Sequence, residues 1–133
     1  MITPKDLKFS KTHEWVKFLD DGTALTGLSD FAQNSLGDIV FIRMPAEGDS
    51  VTSGESYTEV ESVKAVADIN SQVSGVIAAV NDEVGDSPQK INEDPYGCWI
   101  IKVGGITGKS ELMDADEYDK FCAEFCSEEE KEA

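Results

Sequence analysis

The chain has 133 residues and carries 27 Asp and Glu against 11 Lys and Arg, for a formal charge of −16. Such a surface repels phosphate backbones and anionic lipids and steers toward basic patches. Hydrophobic residues make up 40% and charged residues 29%, and no apolar run approaches the roughly 18 residues that span a bilayer, so neither a nucleic-acid partner nor a membrane is expected.

At this length one domain over 1–133 is expected, with a core over about 5–126 and an acidic tail at 127–133. The start, MITPKDLKFSKTHEW, has neither the apolar stretch of a signal peptide nor the Arg-rich character of a transit peptide. The chain therefore reads as cytoplasmic, or as a mature mitochondrial-matrix form whose leader has been removed.

In chain order, THEWVKFLDDGTALTGL predicts two short strands around a turn at Asp20, Asp21 and Gly22, because Asp-Gly between apolar runs is a hairpin signal. SDFAQNSLG predicts a short helix near 29–36, with Ser29 as N-cap, Phe31, Ala32 and Leu36 on one face, and Gly37 as the stop. DIVFIRM is a strand closed by Pro45, and from there to about Val103 the sequence reads as all-β, with glycine turns and no helical period longer than a turn. MDADEYDKFCAEFC places Tyr118, Phe121, Cys122 and Phe125 at i, i+3, i+4 and i+7, the stripe of a C-terminal helix on a sheet; SEEEKEA then frays into solvent.

EGDSV at 47–51 echoes VGDSP at 84–88. Two related halves would meet near Val66 and Ala67, close to a lysine, Lys64, that sits among small and apolar neighbours in ESVKAVAD. Beyond it, ADINSQVSGVIAAVN reads as strand, glycine turn, strand. A lysine at the tip of a hairpin joining two similar four-strand motifs is free of its neighbours, and acylation there would remove its charge and make it the root of a longer arm. Read without that context, it is an ordinary surface lysine.

His13 is the only histidine, so no histidine metal cluster or Cys/His pair can be assembled, and no metal is expected. It reads as structural, and Trp15 and Trp99 as packing residues. Cys98, Cys122 and Cys126 form no CxxC and read as free thiols; Cys122 and Cys126 lie four apart, the spacing of a conceivable redox pair.

KTHEWV (11–16), GLSDFAQNSLGDIVFI (27–42), VESVKAVADINSQVSG (60–75), INEDPYGCWIIKV (91–103) and LMDADEYDKF (112–121) resemble, in order, the motifs of the H-protein family of the glycine cleavage system. The lysine motif is not the DKA of 2-oxoacid dehydrogenase lipoyl domains or the MKM of biotin carriers. The sequence departs at Gln72, where the family's SPVSG has proline, which implies a looser turn, and at DPYGCW, an altered form that implies a Cys98 near a surface loop.

The resemblance implies an all-β barrel-sandwich hybrid with the two helices above, in which lipoic acid is joined by an amide to Lys64. Glu61, Ser62, Val63 and Ala65 would be recognised by lipoate ligase or lipoyltransferase. It implies a carrier, not an enzyme: a pyridoxal-phosphate glycine decarboxylase loads the arm with an aminomethyl group, a tetrahydrofolate-dependent aminomethyltransferase unloads it, and dihydrolipoyl dehydrogenase reoxidises it. A carboxylate would hold the loaded amine, with Glu14 the first candidate and Thr12 and Asp68 the second. A monomer is expected. The same lysine would serve a protein acting mainly as lipoate donor to 2-oxoacid dehydrogenases.

Overall fold

The computed structural model describes residues 3–132, with side chains to residue 124. The chain runs β1 (Lys8–Phe9), β2 (Glu14–Phe18), β3 (Ala24–Leu28), α1 (Asp30–Leu36), β4 (Ile39–Ile42), β5 (Ser50–Val51), β6 (Ser56–Ser62), β7 (Val66–Asn70), β8 (Val73–Val80), α2 (Asp82–Asp86), α3 (Lys90–Glu93), β9 (Ile101–Lys109) and α4 (Ala115–Glu132). A six-stranded antiparallel sheet, β1-β2-β3-β9-β8-β5, faces a three-stranded one, β4-β6-β7, and the two do not close on each other. This is the barrel-sandwich arrangement expected from the sequence. No helix of the described residues is long and apolar enough to cross a membrane.

Local chemistry explains the first elements. The β2–β3 hairpin turns where Gly22 takes φ +85°, while Asp21 Oδ1 accepts the Thr23 N–H at 3.0 Å. Ser29 caps α1, its Oγ accepting the Ala32 N–H at 3.2 Å, and Gly37 ends the helix at φ +77°. Between the sheets, Val16, Ile42, Val60, Ile69, Ile77 and Ile101 belong to one buried cluster. A second cluster, Leu7, Phe9, Trp15, Ala115, Tyr118 and Cys122, joins the N-terminal segment to α4. Phe9 stacks on Tyr118, ring centroids 4.5 Å apart, as the apolar stripe predicted. The side chains of Phe125 and Cys126 lie outside the described residues.

The structure corrects the sequence reading at several points. The middle of the chain is not all-β, because α2 and α3 interrupt it, each about one turn long. Their buried anchors, Val84 and Ile91, plug into the main core, and side chains so placed select a helical turn that no periodicity announces. The Gly-Asp-Ser echo has no counterpart in conformation: Gly48 sits in a turn at φ +92°, whereas Gly85 lies inside α2, where a Cβ would come within 2.7 Å of Met44 Cγ. The turn after β7 is made by Ser71 and Gln72, and Gly75 is a strand residue pressed against the Gly104 carbonyl. The segment expected to fray after Cys126 continues α4 to Glu132.

Candidate functional site

Lys64 stands at the tip of the β6–β7 hairpin. Ser62 builds that tip: its N–H donates to the Ala65 carbonyl at 2.8 Å, and its Oγ accepts the N–H groups of Lys64 and Ala65, each at 3.2 Å. The Val63 N–H donates to the Asp38 carbonyl at 3.0 Å, tying the tip to the start of β4. The lysine thus projects from a fixed base while its side chain stays exposed. Its Nζ donates to the Ser35 carbonyl at the end of α1, at 3.5 Å, and its Cε passes over Gly37, where a Cβ would lie 3.3 Å away.

Apolar and acidic groups surround the lysine. Val63 is 65% exposed, Val66 59% and Phe41 50%. Phe41, Glu61 and Val66 occupy one cross-strand row, and Glu59 faces Asp68 in the next. Like charges directly opposite one another are unfavourable in a sheet.

Below the tip opens a cleft of about 180 Å³ walled by Thr12, His13 and Glu14 on one side, Ala32, Ser35 and Leu36 of α1 on another, and Ala67 and Asp68 of β7. All three predicted amine-binding candidates, Glu14, Thr12 and Asp68, line this one cleft, although Glu14 and Asp68 are 54 positions apart in sequence. Glu61, Ser62, Val63, Lys64 and Ala65 lie on the hairpin above it. A larger groove of about 500 Å³ beside Arg43 and Tyr57 has none of these residues in its walls.

Glu14 is only 1% exposed. Its Oε1 accepts from Ser10 Oγ at 2.7 Å, from Gln72 Nε2 at 3.0 Å and from Thr12 Oγ1; its Oε2 accepts the Asn70 N–H at 3.2 Å. Burial pushes the carboxyl above its ordinary range, against the pull of those four donors. Three donors reach Oε1 and one reaches Oε2, so Oε2 is the oxygen with acceptor capacity to spare.

Sequence reasoning missed Ser10, Asn70 and Gln72 as supports, and named Thr12 only as a candidate contact of the amine. Gln72 was expected to loosen its turn; instead it is 4% exposed, bonded to Glu14, and its carbonyl accepts the Ser110 N–H at 2.8 Å. A polar residue in the place of a family proline was the available signal. Cys98 lies in the loop between α3 and β9 beside exposed Gly97, as expected, but is itself half-buried: its thiol donates to the Lys90 carbonyl at 3.3 Å, and burial pushes its pKa up. Trp15 packs as expected and donates Nε1–H to the Pro95 carbonyl at 3.0 Å; Trp99 packs against the second cluster.

His13, read from the sequence as structural, walls the cleft. It takes φ +71°, a left-handed conformation costing a non-glycine residue about 1–2 kcal/mol. Its Nδ1 lies 2.7 Å from the Tyr118 hydroxyl, and its ring stacks on Phe31 at 4.4 Å. Burial lowers its pKa below 6.5. Between the lowered value and 6.5 the unfolded chain binds a proton that the folded chain refuses, so this contribution to stability is complete above 6.5 and is lost as pH falls. With one histidine in the chain, a proton NMR titration is unambiguous: the imidazole signal is expected to titrate below 6.5, and a midpoint above it would contradict the buried, neutral ring.

The family model of the glycine cleavage H-protein matches residues 7–125. The glycine cleavage system H protein of Lachnoclostridium phytofermentans is 49% identical over 117 residues, covering 88% of this chain and 92% of the relative. The mitochondrial glycine cleavage system H protein 2 of Arabidopsis thaliana is 50% identical over 126 residues, 92% of this chain and 80% of the relative. The crystal structure of a glycine cleavage system H protein from Mycobacterium marinum superposes with a TM-score of 0.82 at 39% identity, covering 86% of this chain and 94% of that one. With the family's motifs in order, its fold, and relatives near half identity over almost the whole chain, the protein belongs to the glycine cleavage H-protein family of lipoyl carriers.

Proposed function

We propose that Lys64 carries lipoic acid as an amide, and that the protein uses it to take the aminomethyl group of glycine from a pyridoxal-phosphate decarboxylase to a tetrahydrofolate-dependent aminomethyltransferase, and electrons to dihydrolipoyl dehydrogenase. The protein is then a carrier subunit and not an enzyme. The observation that supports this reading is the placement of an exposed lysine on a rigid tip, its Nζ 3.5 Å from a carbonyl at the rim of a cleft whose floor holds a buried carboxylate.

The residues fit the group. Val63 and Ala65 leave room for an attaching enzyme to grip the hairpin, and Glu61 and Ser62 fix what it grips. Amide formation removes the charge but leaves one N–H on Nζ, which can still donate to the Ser35 carbonyl and keep the root beside the cleft mouth. The bound dithiolane would supply one sulfur to hold the aminomethyl unit and a second that is left reduced. Glu14 would offer an ammonium in the cleft a charge-assisted hydrogen bond, with Thr12 and Asp68 beside it and Leu36 and Ala67 as apolar walls against water. A tether helps only if its root reaches each partner's pocket, and the hairpin tip provides that reach.

The test is intact mass and peptide mapping after expression with lipoate and a lipoate ligase. A lipoyl increment on the peptide containing Lys64, absent from Lys64→Arg, is the expected result. A folded wild type that gains no mass would overturn the proposal.

A further inference from the structure

Tyr118 touches neither Lys64 nor the cleft, yet its hydroxyl joins the two walls of that cleft. It lies 2.7 Å from Ser29 Oγ, the N-cap of α1, and 2.7 Å from His13 Nδ1, the neighbour of Thr12 and Glu14. Ser29 Oγ already accepts the Ala32 N–H at 3.2 Å, so its own proton is free for Tyr118. A neutral His13 with its proton on Nε2 offers Nδ1 as an acceptor for the phenol's proton. Cys122, one turn further along α4, contacts the same phenol. Packing alone accounts for the ring, which is buried and stacked on Phe9. It does not account for a hydroxyl whose oxygen and nitrogen neighbours are both in elements that wall the cleft.

We propose that Tyr118 is a positioning residue of the carrier: through the relay from Ser29 to Tyr118 to His13 it holds α1 and the 12–14 segment at the spacing that keeps a loaded amine against Glu14 and away from water. This rests on the reading that the loaded arm lies in the cleft. When the cleft is loose, water takes the unit as formaldehyde and ammonium and leaves the thiol: one water is consumed per unit, the carbon–sulfur and carbon–nitrogen bonds break, and no electrons change hands.

The experiment compares lipoylated wild type, Tyr118→Phe, Glu14→Gln and the core control Ile91→Val, each charged with glycine through the decarboxylase, by ammonia released into buffer. Tyr118→Phe keeps the ring and loses only the relay; release about threefold to tenfold faster is expected, the range for one net hydrogen bond, with lipoylation of Lys64 unchanged. In the unlipoylated variant, the nitrogen-15 signal of His13 Nδ1 is expected to move to the position of an acceptor without a donor, an effect that general loosening does not produce. Ser29→Ala breaks the relay from the other side and is expected to act the same way, so the test does not depend on one variant folding. Wild-type release from both relay variants, or equal release from Ile91→Val, overturns the positioning role. If Glu14→Gln is also at the wild-type rate, the cleft reading itself falls; if it alone is fast, only the relay does.

Discussion

Gly75→Ala is expected to destabilise the protein by about 3 kcal/mol, lowering the melting temperature by about 10 °C or more. Gly75 lies in β8 against β9, and a Cβ there would come 2.5 Å from the Gly104 carbonyl oxygen and 2.8 Å from Val103 Cγ1. The first of these is backbone at the heart of the larger sheet, so it cannot swing aside as a flexible side chain would. Gly104→Ala is the matched control. Its Cβ would meet only ordinary contacts, Ala78 Cβ at 3.7 Å and Thr23 Cγ2 at 3.8 Å, and a change within about 0.5 kcal/mol is expected. Thermal denaturation of the two variants decides the matter: equal melting temperatures would refute the clash.

Glu14→Gln is expected to shorten the life of the loaded carrier on the order of tenfold or more, because it removes the charge from a hydrogen bond of the charge-assisted class. Its effect on folding depends on pH, and the sign follows from the raised pKa. The folded chain holds a proton on Glu14 in a range above 4.5 where the unfolded chain has released it. Stability from this group is therefore complete below 4.5 and is lost as pH rises through the higher folded value. Glutamine carries no such dependence, but its amide nitrogen must confront the Asn70 N–H or one of the other donors, at a cost of about 1–3 kcal/mol. The variant is thus expected to be less stable than wild type at pH 4, with the gap narrowing toward pH 7. A gap that widens with pH in urea titrations would reverse the assignment of burial as the dominant influence on this carboxyl.

How legible these features were depended on how local their causes are. The Asp21-Gly22 turn, the Ser29 cap, the Gly37 stop and the Tyr118 stripe each depend on residues within a few positions of one another, and they stood in the sequence plainly. The strand β1 did not, because it is two residues long and is completed by a bridge from Phe9 to Met113 on the far side of the chain. The cleft divides the same way. Glu14, Thr12 and Asp68 came from family motifs, whereas the donors Gln72 and Asn70 reach Glu14 across 58 and 56 positions, and their role exists only once β2 and the β7–β8 turn are side by side. Gly75 was legible as a glycine and illegible in purpose, since nothing near it in sequence shows the Gly104 carbonyl it must admit.

The order of strands within the sheets bears on crowding. Both margins of the larger sheet, β1 and β5, are two residues long, too short to template a strand from another molecule. The smaller sheet ends on β4, whose register is broken by a bulge, and on β7, which has committed its Asn70 N–H to Glu14 and sets Asp68 on its outer face. Val63 and Val66, exposed beside Lys64, would otherwise invite a second copy to stick there. With its margins blunted and 16 negative charges in excess, the chain resists self-association even though its hairpin tip is apolar.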